Sequence, residues 1–384
     1  MNNFEFCIST KAIFGKGQIE KLPEVVEAYG KKVLLTYGGG SIKKIGVYDT
    51  IKTLLSKCEV VELSGIEANP KISSVREGIR LCRENDIDVI LAVGGGSVID
   101  CAKVISAAFY YEGDVYDMLA SHAPVGNTIP IIAVPTVAAT GSEMDFGAVV
   151  VNPETNQKMS VFSNSLMPKA AILDPTYTFT VSKRQTAAGC ADIMSHLMEQ
   201  YFLPETSYLA DALVEGVMKT VVHYARIAMD EPENYEARAQ ILWASEIADN
   251  ATLSNGNKMA VFPVHNMEHQ LSGRFDSIHG EGLAILTPAW MKYVLSEKTA
   301  PRFAKFATNV FGIKEADEMN TAERGIEAIK NFFISLDIPQ SLAELGADEK
   351  QFVEMGLQSE QEGSGFAWIP LFAQDCTAIY RMCY

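Results

Sequence analysis

The stretch Asp88-Val89-Ile90-Leu91-Ala92-Val93-Gly94-Gly95-Gly96-Ser97 decides the fold. Five consecutive apolar residues follow Asp88, without the alternation of a strand wetted on one side. That pattern predicts a strand buried on both faces, the mark of a parallel sheet. Three glycines and a serine then lead into a helix expected over Val98–Ala108. Such a turn brings backbone N–H groups to a helix N-terminus with no Cβ atoms to hold an anion away. A tight βα turn needs glycines for its own sake, so Gly95, Gly96 and Ser97 mark a diphosphate site only in context. The GxGxxG spacing of the common dinucleotide domain is absent, which predicts a different dinucleotide fold.

Outward from this stretch the pattern repeats. Upstream, Lys32–Tyr37 reads as a buried strand running into Gly38-Gly39-Gly40-Ser41 and a helix at about Ile45–Ser56. A strand Glu59–Leu63 leads to Asn69-Pro70, and a helix Ser73–Glu84 follows. Residues 5–14 suggest an edge strand or ribbon. Downstream, Pro130–Pro135 and Ala170–Leu173 are further strands; Ala148–Asn152 and Lys158–Phe162 flank Pro153-Glu154-Thr155-Asn156 as a hairpin. Strands alternating with helices predict βαβ units around a parallel sheet. From Lys183 the texture becomes helical, with segments expected at 186–202, 207–229, 233–254, 258–272, 281–296, 322–336 and 367–380. The expected organisation is an α/β domain over 1–182 and an all-helical domain over 183–384.

Composition narrows the function. A net charge of −16 argues against nucleic acid and anionic membranes as partners. Seven scattered cysteines without a CxxC argue against a disulfide framework or a structural zinc cluster. No basic-then-apolar leader and no uninterrupted 18-residue apolar run is visible, so a cytoplasmic protein is expected.

Five of the six histidines fall between Gly189 and Gly282, and four of them, all but His223, belong to the motifs there. Asp192 and His196 are four apart, and so are His265 and His269; on helices each pair shares a face. His279 follows in a Gly-flanked segment. One carboxylate and three imidazoles suit Fe²⁺ or Zn²⁺ with a position left for substrate. A histidine on a helix is more often a satisfied structural residue, and spacing alone leaves four nitrogens competing for three places. His122 and His223 have no partner at ligand spacing and read as structural. At the other end of the chain, the turn after Tyr37 offers glycines, a serine, Lys43 and Lys44 where NAD-selective sites often place an acid. That favours NADP(H).

Taken in order, these motifs resemble the iron-containing (group III) alcohol dehydrogenase family, in particular its NADPH-dependent butanol dehydrogenase or aldehyde reductase branch. The resemblance runs through Thr10–Gly15, Tyr37–Ser41, Gly94–Asp100, Thr140–Glu143, Leu173–Pro175, Ala188–Asp192 with His196 and Glu199, and His265–Gly282. It implies a dehydroquinate-synthase-like fold with NADP(H) between the two domains. It further implies metal ligands Asp192, His196, His265 and His279, and a non-ligating His269 near the nicotinamide. Cofactor contacts implied are Gly38, Gly39, Gly40, Ser41, Asn69, Gly95, Gly96, Ser97, Thr136, Thr140, Ser142 and Lys158. Two departures are visible: no proline precedes the Asp192 helix, where Val181-Ser182-Lys183 stands, and Gln374-Asp375-Cys376 differs from the family's usual ending. The activity expected is reduction of small aliphatic aldehydes or oxidation of primary alcohols such as butanol, with one Fe²⁺ or Zn²⁺ and His269 relaying the proton. A homodimer is expected. The rivals are an NAD-dependent polyol dehydrogenase of the same fold and a metal- or nucleotide-binding protein without turnover.

Overall fold

The computed structural model describes residues 1–155 and 157–384. Asn156, the last residue of the expected hairpin turn, lies outside them. Six strands form one parallel sheet: β1 (Lys11–Phe14), β2 (Lys32–Tyr37), β3 (Glu59–Leu63), β4 (Val89–Gly94), β5 (Ile131–Pro135) and β8 (Ala170–Leu173), in the order β1-β8-β5-β4-β2-β3. A separate antiparallel pair, β6 (Gly147–Asn152) and β7 (Gln157–Phe162), makes the hairpin. Both faces of the sheet are covered. Leu34, Ile90, Ala92, Ile131 and Ala133 pack on one side, and Val33, Leu35, Val89, Leu91, Val93, Ile132 and Val134 on the other. This is why these strands read as unbroken apolar runs.

Through this region run helices α1 (Leu22–Glu27), α2 (Ser41–Lys44), α3 (Val47–Leu54), α4 (Ile72–Asn85), α5 (Gly96–Ala108) and α6 (Val115–Ala120). The helix expected over 45–56 is interrupted at its start by Gly46 in the left-handed region (φ 77°), which separates α2 from α3. Then come α7 (Lys183–Tyr201), α8 (Tyr208–Asp230), α9 (Tyr235–Ala248), α10 (Pro263–Phe275), α11 (His279–Val294), α12 (Ala300–Phe311), α13 (Glu318–Ser335), α14 (Phe352–Gln361) and α15 (Ala373–Met382). Ser182 starts α7 in place of a proline, its Oγ accepting from Gln185 N at 3.2 Å.

The chain forms two compact units. One comprises Cys7–Val181 together with Pro232–Asn250, and the other Met1–Phe6, Ser182–Glu231 and Ala251–Tyr384. Two stretches therefore cross the boundary expected at 182. α9 joins the sheet unit because Leu242 packs on Ala171 and Leu173 of β8 and Trp243 meets the Phe14 ring edge-on at 5.8 Å. Among the described residues no helix is long and apolar enough to cross a membrane.

Candidate active site

The sheet unit carries the two glycine turns expected to hold the dinucleotide phosphates. β2 and β4 are neighbours in register, Tyr37 opposite Val93, and the connections from them run to opposite sides: β2 to β3 at one edge, β4 to β5 toward the other. The two glycine turns thus leave adjacent strand ends at the topological switch point, where open α/β sheets bind ligands. Gly95 precedes α5, while Gly96 and Ser97 form its first residues. Gly38 is stitched to the loop after β3: its carbonyl accepts from Gly65 N at 3.2 Å, and a Cβ on it would lie 3.2 Å from Ile66 O. Gly40 takes φ 104° ahead of Ser41, the first residue of α2.

The remaining expected cofactor residues gather around these turns. Thr136 N donates to Gly94 O at 2.9 Å. Thr140 lies against the Gly95–Ser97 turn, since a Cβ on Gly96 would sit 2.4 Å from its Oγ1. Ser142 is buried, and its hydroxyl donates to Asp100 Oδ1 at 2.6 Å, bracing the start of α5. Asn69 adopts φ 53°, and Val151 N donates to Pro70 O beside it at 2.8 Å. Lys158 is the register partner of Val151, so the hairpin brings it to the Asn69 loop. Near β2 the acids are engaged: Glu62 accepts from Tyr37, Tyr48 and Lys52, and Glu67 from Ser74.

The helical unit carries the metal candidates. Asp192 and His196 lie one turn apart on α7, His265 and His269 on α10, and His279 opens α11. Ligand atoms of Asp192, His265 and His279 all lie within 4.8 Å of one another. His196 Nε2 is 3.6 Å from Asp192 Oδ1, and its ring stacks on His265 at 5.0 Å. His269 stands at the margin, its ring centroid 5.8 Å from that of His279. Among the described residues nothing donates a hydrogen bond to the buried Asp192 Oδ1, and none partners His265 Nε2. A buried carboxylate oxygen left so amid imidazoles is costly unless a cation balances it. The donor set fits a divalent ion of the Fe²⁺ or Zn²⁺ kind.

Three carboxylates around the centre carry no ligand-type spacing in the sequence. Glu268, 0% exposed, holds His279 Nδ1 and accepts from Ser272 Oγ at 3.0 Å. That turns His279 Nε2 toward Asp192 Oδ1, 3.7 Å away. Glu199 Oε2 lies 3.1 Å from His265 Nδ1, and Glu362 Oε2 3.8 Å from His269 Nδ1. Burial alone would raise the Glu199 carboxyl, but His265, His196 and His269 outweigh it and hold the group below the usual carboxylate range. Glu268 fixes the tautomer and aim of His279, the customary support of a metal-ligating histidine, while Glu199 and Glu362 set negative charge beside His265 and His269. Glu268 and Glu362 were not singled out by sequence, because their partners lie on neighbouring elements rather than at helical spacing.

Glycine turns at a parallel-sheet switch point and a histidine–carboxylate cluster on helices are features that a metal-assisted, nucleotide-using oxidoreductase requires. Two family models divide the chain: iron-containing alcohol dehydrogenase over residues 9–175, and the C-terminal part of the iron-containing alcohol dehydrogenase family over 186–384. The chain belongs to the iron-containing alcohol dehydrogenase family. It is 45% identical to NADH-dependent butanol dehydrogenase A of Clostridium acetobutylicum over 100% of both chains. Identity to the NADPH-dependent aldehyde reductase YqhD of Escherichia coli is 35%, over 94% of each chain. The crystal structure of NADH-dependent butanol dehydrogenase A from Thermotoga maritima matches with a TM-score of 0.96 at 37% identity, covering 100% of this chain and 99% of that one.

Proposed function

We propose that the protein interconverts small aliphatic aldehydes and primary alcohols such as butanol, with NADP(H) as cofactor and one Fe²⁺ or Zn²⁺. The observation that carries the proposal is Asp192 Oδ1, buried and with no hydrogen-bond donor among the described residues, with His265 and His279 ligand atoms within 4.8 Å. Asp192, His196, His265 and His279 would hold the ion; Gly38–Ser41, Asn69, Gly95–Ser97, Thr136, Thr140, Ser142 and Lys158 would hold the dinucleotide. The bound ion supplies Lewis acidity at the aldehyde oxygen and the nicotinamide supplies hydride. The chain's own residues orient and protonate. Glu268 aims the ligating nitrogen of His279, Glu199 sets negative charge beside His265, and His269, 5.8 Å ring to ring from His279, passes the proton to the product oxygen.

Relatives differ in their named cofactor, NADH in the butanol dehydrogenases and NADPH in the aldehyde reductase. The choice of NADP(H) rests on the Gly38–Ser41 turn, which offers glycines and a serine where NAD-selective sites often place an acid, and on Lys43 and Lys44 behind it. A cytoplasmic homodimer belongs to the same proposal. The test is dinucleotide oxidation with a series of aldehydes, on protein reconstituted separately with Fe²⁺ and Zn²⁺. Faster turnover with NADPH than with NADH at equal concentration is expected. The reverse order sinks the cofactor choice, and full activity in metal-stripped protein sinks the metal centre.

A further inference from the structure

Inside the sheet unit, four carboxyl groups gather around one ammonium. Asp100 and Lys103 come from α5, Glu143 and Asp145 from the segment after β5, and Glu246 from the last turn of α9. Lys103 and Glu246 are 0% exposed and Glu143 2%. Lys103 Nζ donates to Asp145 Oδ1 at 2.6 Å, Asp145 O at 3.0 Å and Gly147 O at 2.9 Å, which uses all three of its hydrogens. Asp100 accepts from Ser142 Oγ at 2.6 Å and Val149 N at 3.0 Å. On the segment after β8 that packs on α9, Asp174 is turned to Gly17 N and Thr176. Among the described residues no N–H or alcohol donor reaches Glu143 Oε1 or either oxygen of Glu246, and each of these two carboxyls feels the other's charge. The other charges they feel are Asp145 and Lys103.

Two ionised carboxylates so placed would leave buried charge uncompensated, which a folded interior strongly disfavours. The C-terminal end of α9 adds partial negative charge of its own. A proton between the carboxyls removes the repulsion and supplies the missing donor. The same helix end sets the cofactor turn: Gly141 (φ +67°) backs onto it so closely that a Cβ would lie 2.3 Å from Ser245 O. Thr140, the next residue back, is the one lying against Gly96.

We propose that Glu143 and Glu246 share a proton and clamp α9 to the Thr140–Ser142 turn, holding the Gly95–Ser97 turn in its dinucleotide-binding shape. Both are positioning residues, and the inference rests on assigning that turn to the cofactor. Burial first, then the Glu143 charge, push the Glu246 carboxyl well above the usual range; burial raises Glu143 as well. An acid held up in the folded state stabilises below its raised value and loses that stabilisation as pH climbs through it. The clamp is therefore closed on the acid side and opens on the alkaline side.

The experiment measures the dissociation constants of NADPH and NADH from mildly acid to alkaline pH for the wild type, Glu246→Gln and Glu246→Ala. In the wild type the constant should rise with pH by roughly five- to tenfold. The glutamine variant, a permanent donor, should bind as well as the wild type at low pH and show no alkaline rise. The alanine variant should bind weakly at every pH with kcat at saturating cofactor little changed. An alkaline rise retained in the glutamine variant overturns the proposal, whether or not the alanine variant folds. If the wild type binds neither dinucleotide, the cofactor assignment has failed, and amide exchange at residues 138–146 and 240–248 judges the clamp instead. Protection, taken relative to the intrinsic base-catalysed rate, that falls with pH in the wild type but not in the glutamine variant supports it; the same pH dependence of protection in both overturns it.

Discussion

A carboxylate that solvent does not reach, Glu268, accepts from Ser272 Oγ at 3.0 Å and holds Nδ1 of His279. With Nδ1 engaged, only Nε2 of that ring is available to an ion beside Asp192. Glutamine at 268 keeps the shape but offers no charge to raise the basicity of the ring. Glu268→Gln should lower metal affinity by about 10- to 100-fold, read by competition against a chelator of known affinity. Unchanged affinity would reduce Glu268 to a space-filling role.

Between elements, the contact that matters most is α7 against α11. A Cβ on Gly280 would lie 1.9 Å from Ala188 O, a backbone atom with no rotamer to give. Arg184 near the start of α7 completes the pairing through Glu281 at 2.5 and 2.9 Å. Because His279 precedes that glycine and Asp192 follows Ala188 by one turn, any separation of the helices pulls the ligands apart. Gly280→Ala should cost about 1–3 kcal/mol and lose metal at the same time, measured by thermal unfolding with metal analysis. Gly216 on α8 is the control: nothing lies within 4 Å of a Cβ there. Gly216→Ala should stabilise by about 0.5–1 kcal/mol with metal content unchanged.

At the scale of the molecule, an ion bound only by the folded chain stabilises it by mass action, about 2.7 kcal/mol at a free concentration 100 times the dissociation constant. Dialysis against a chelator should lower the melting temperature by several degrees, and adding back Fe²⁺ or Zn²⁺ should restore it. Asp192→Ala should melt at the lower temperature with or without ion. A melting temperature that does not respond to metal in the wild type would contradict the centre.

The parallel sheet was readable in the sequence because strands buried on both faces are apolar throughout, and here such runs lead into glycine turns and alternate with helical segments. The glycine turns were readable because only glycine permits such close backbone approach, and the pairs Asp192/His196 and His265/His269 because helical spacing is local. α12 and α14 were not read, although in α12 the apolar stripe Phe303, Ala304, Ala307 and Val310 at helical spacing was there to find. The sequence had no means to show that α9 sides with the sheet, since an amphipathic stripe records that a helix is covered and not by what. Glu268, Glu362 and the Glu143–Glu246 pair acquire their meaning from residues far along the chain. Local spacing determined which chemistry the chain carries; tertiary packing decided which acids stand beside the histidines and which two must share a proton.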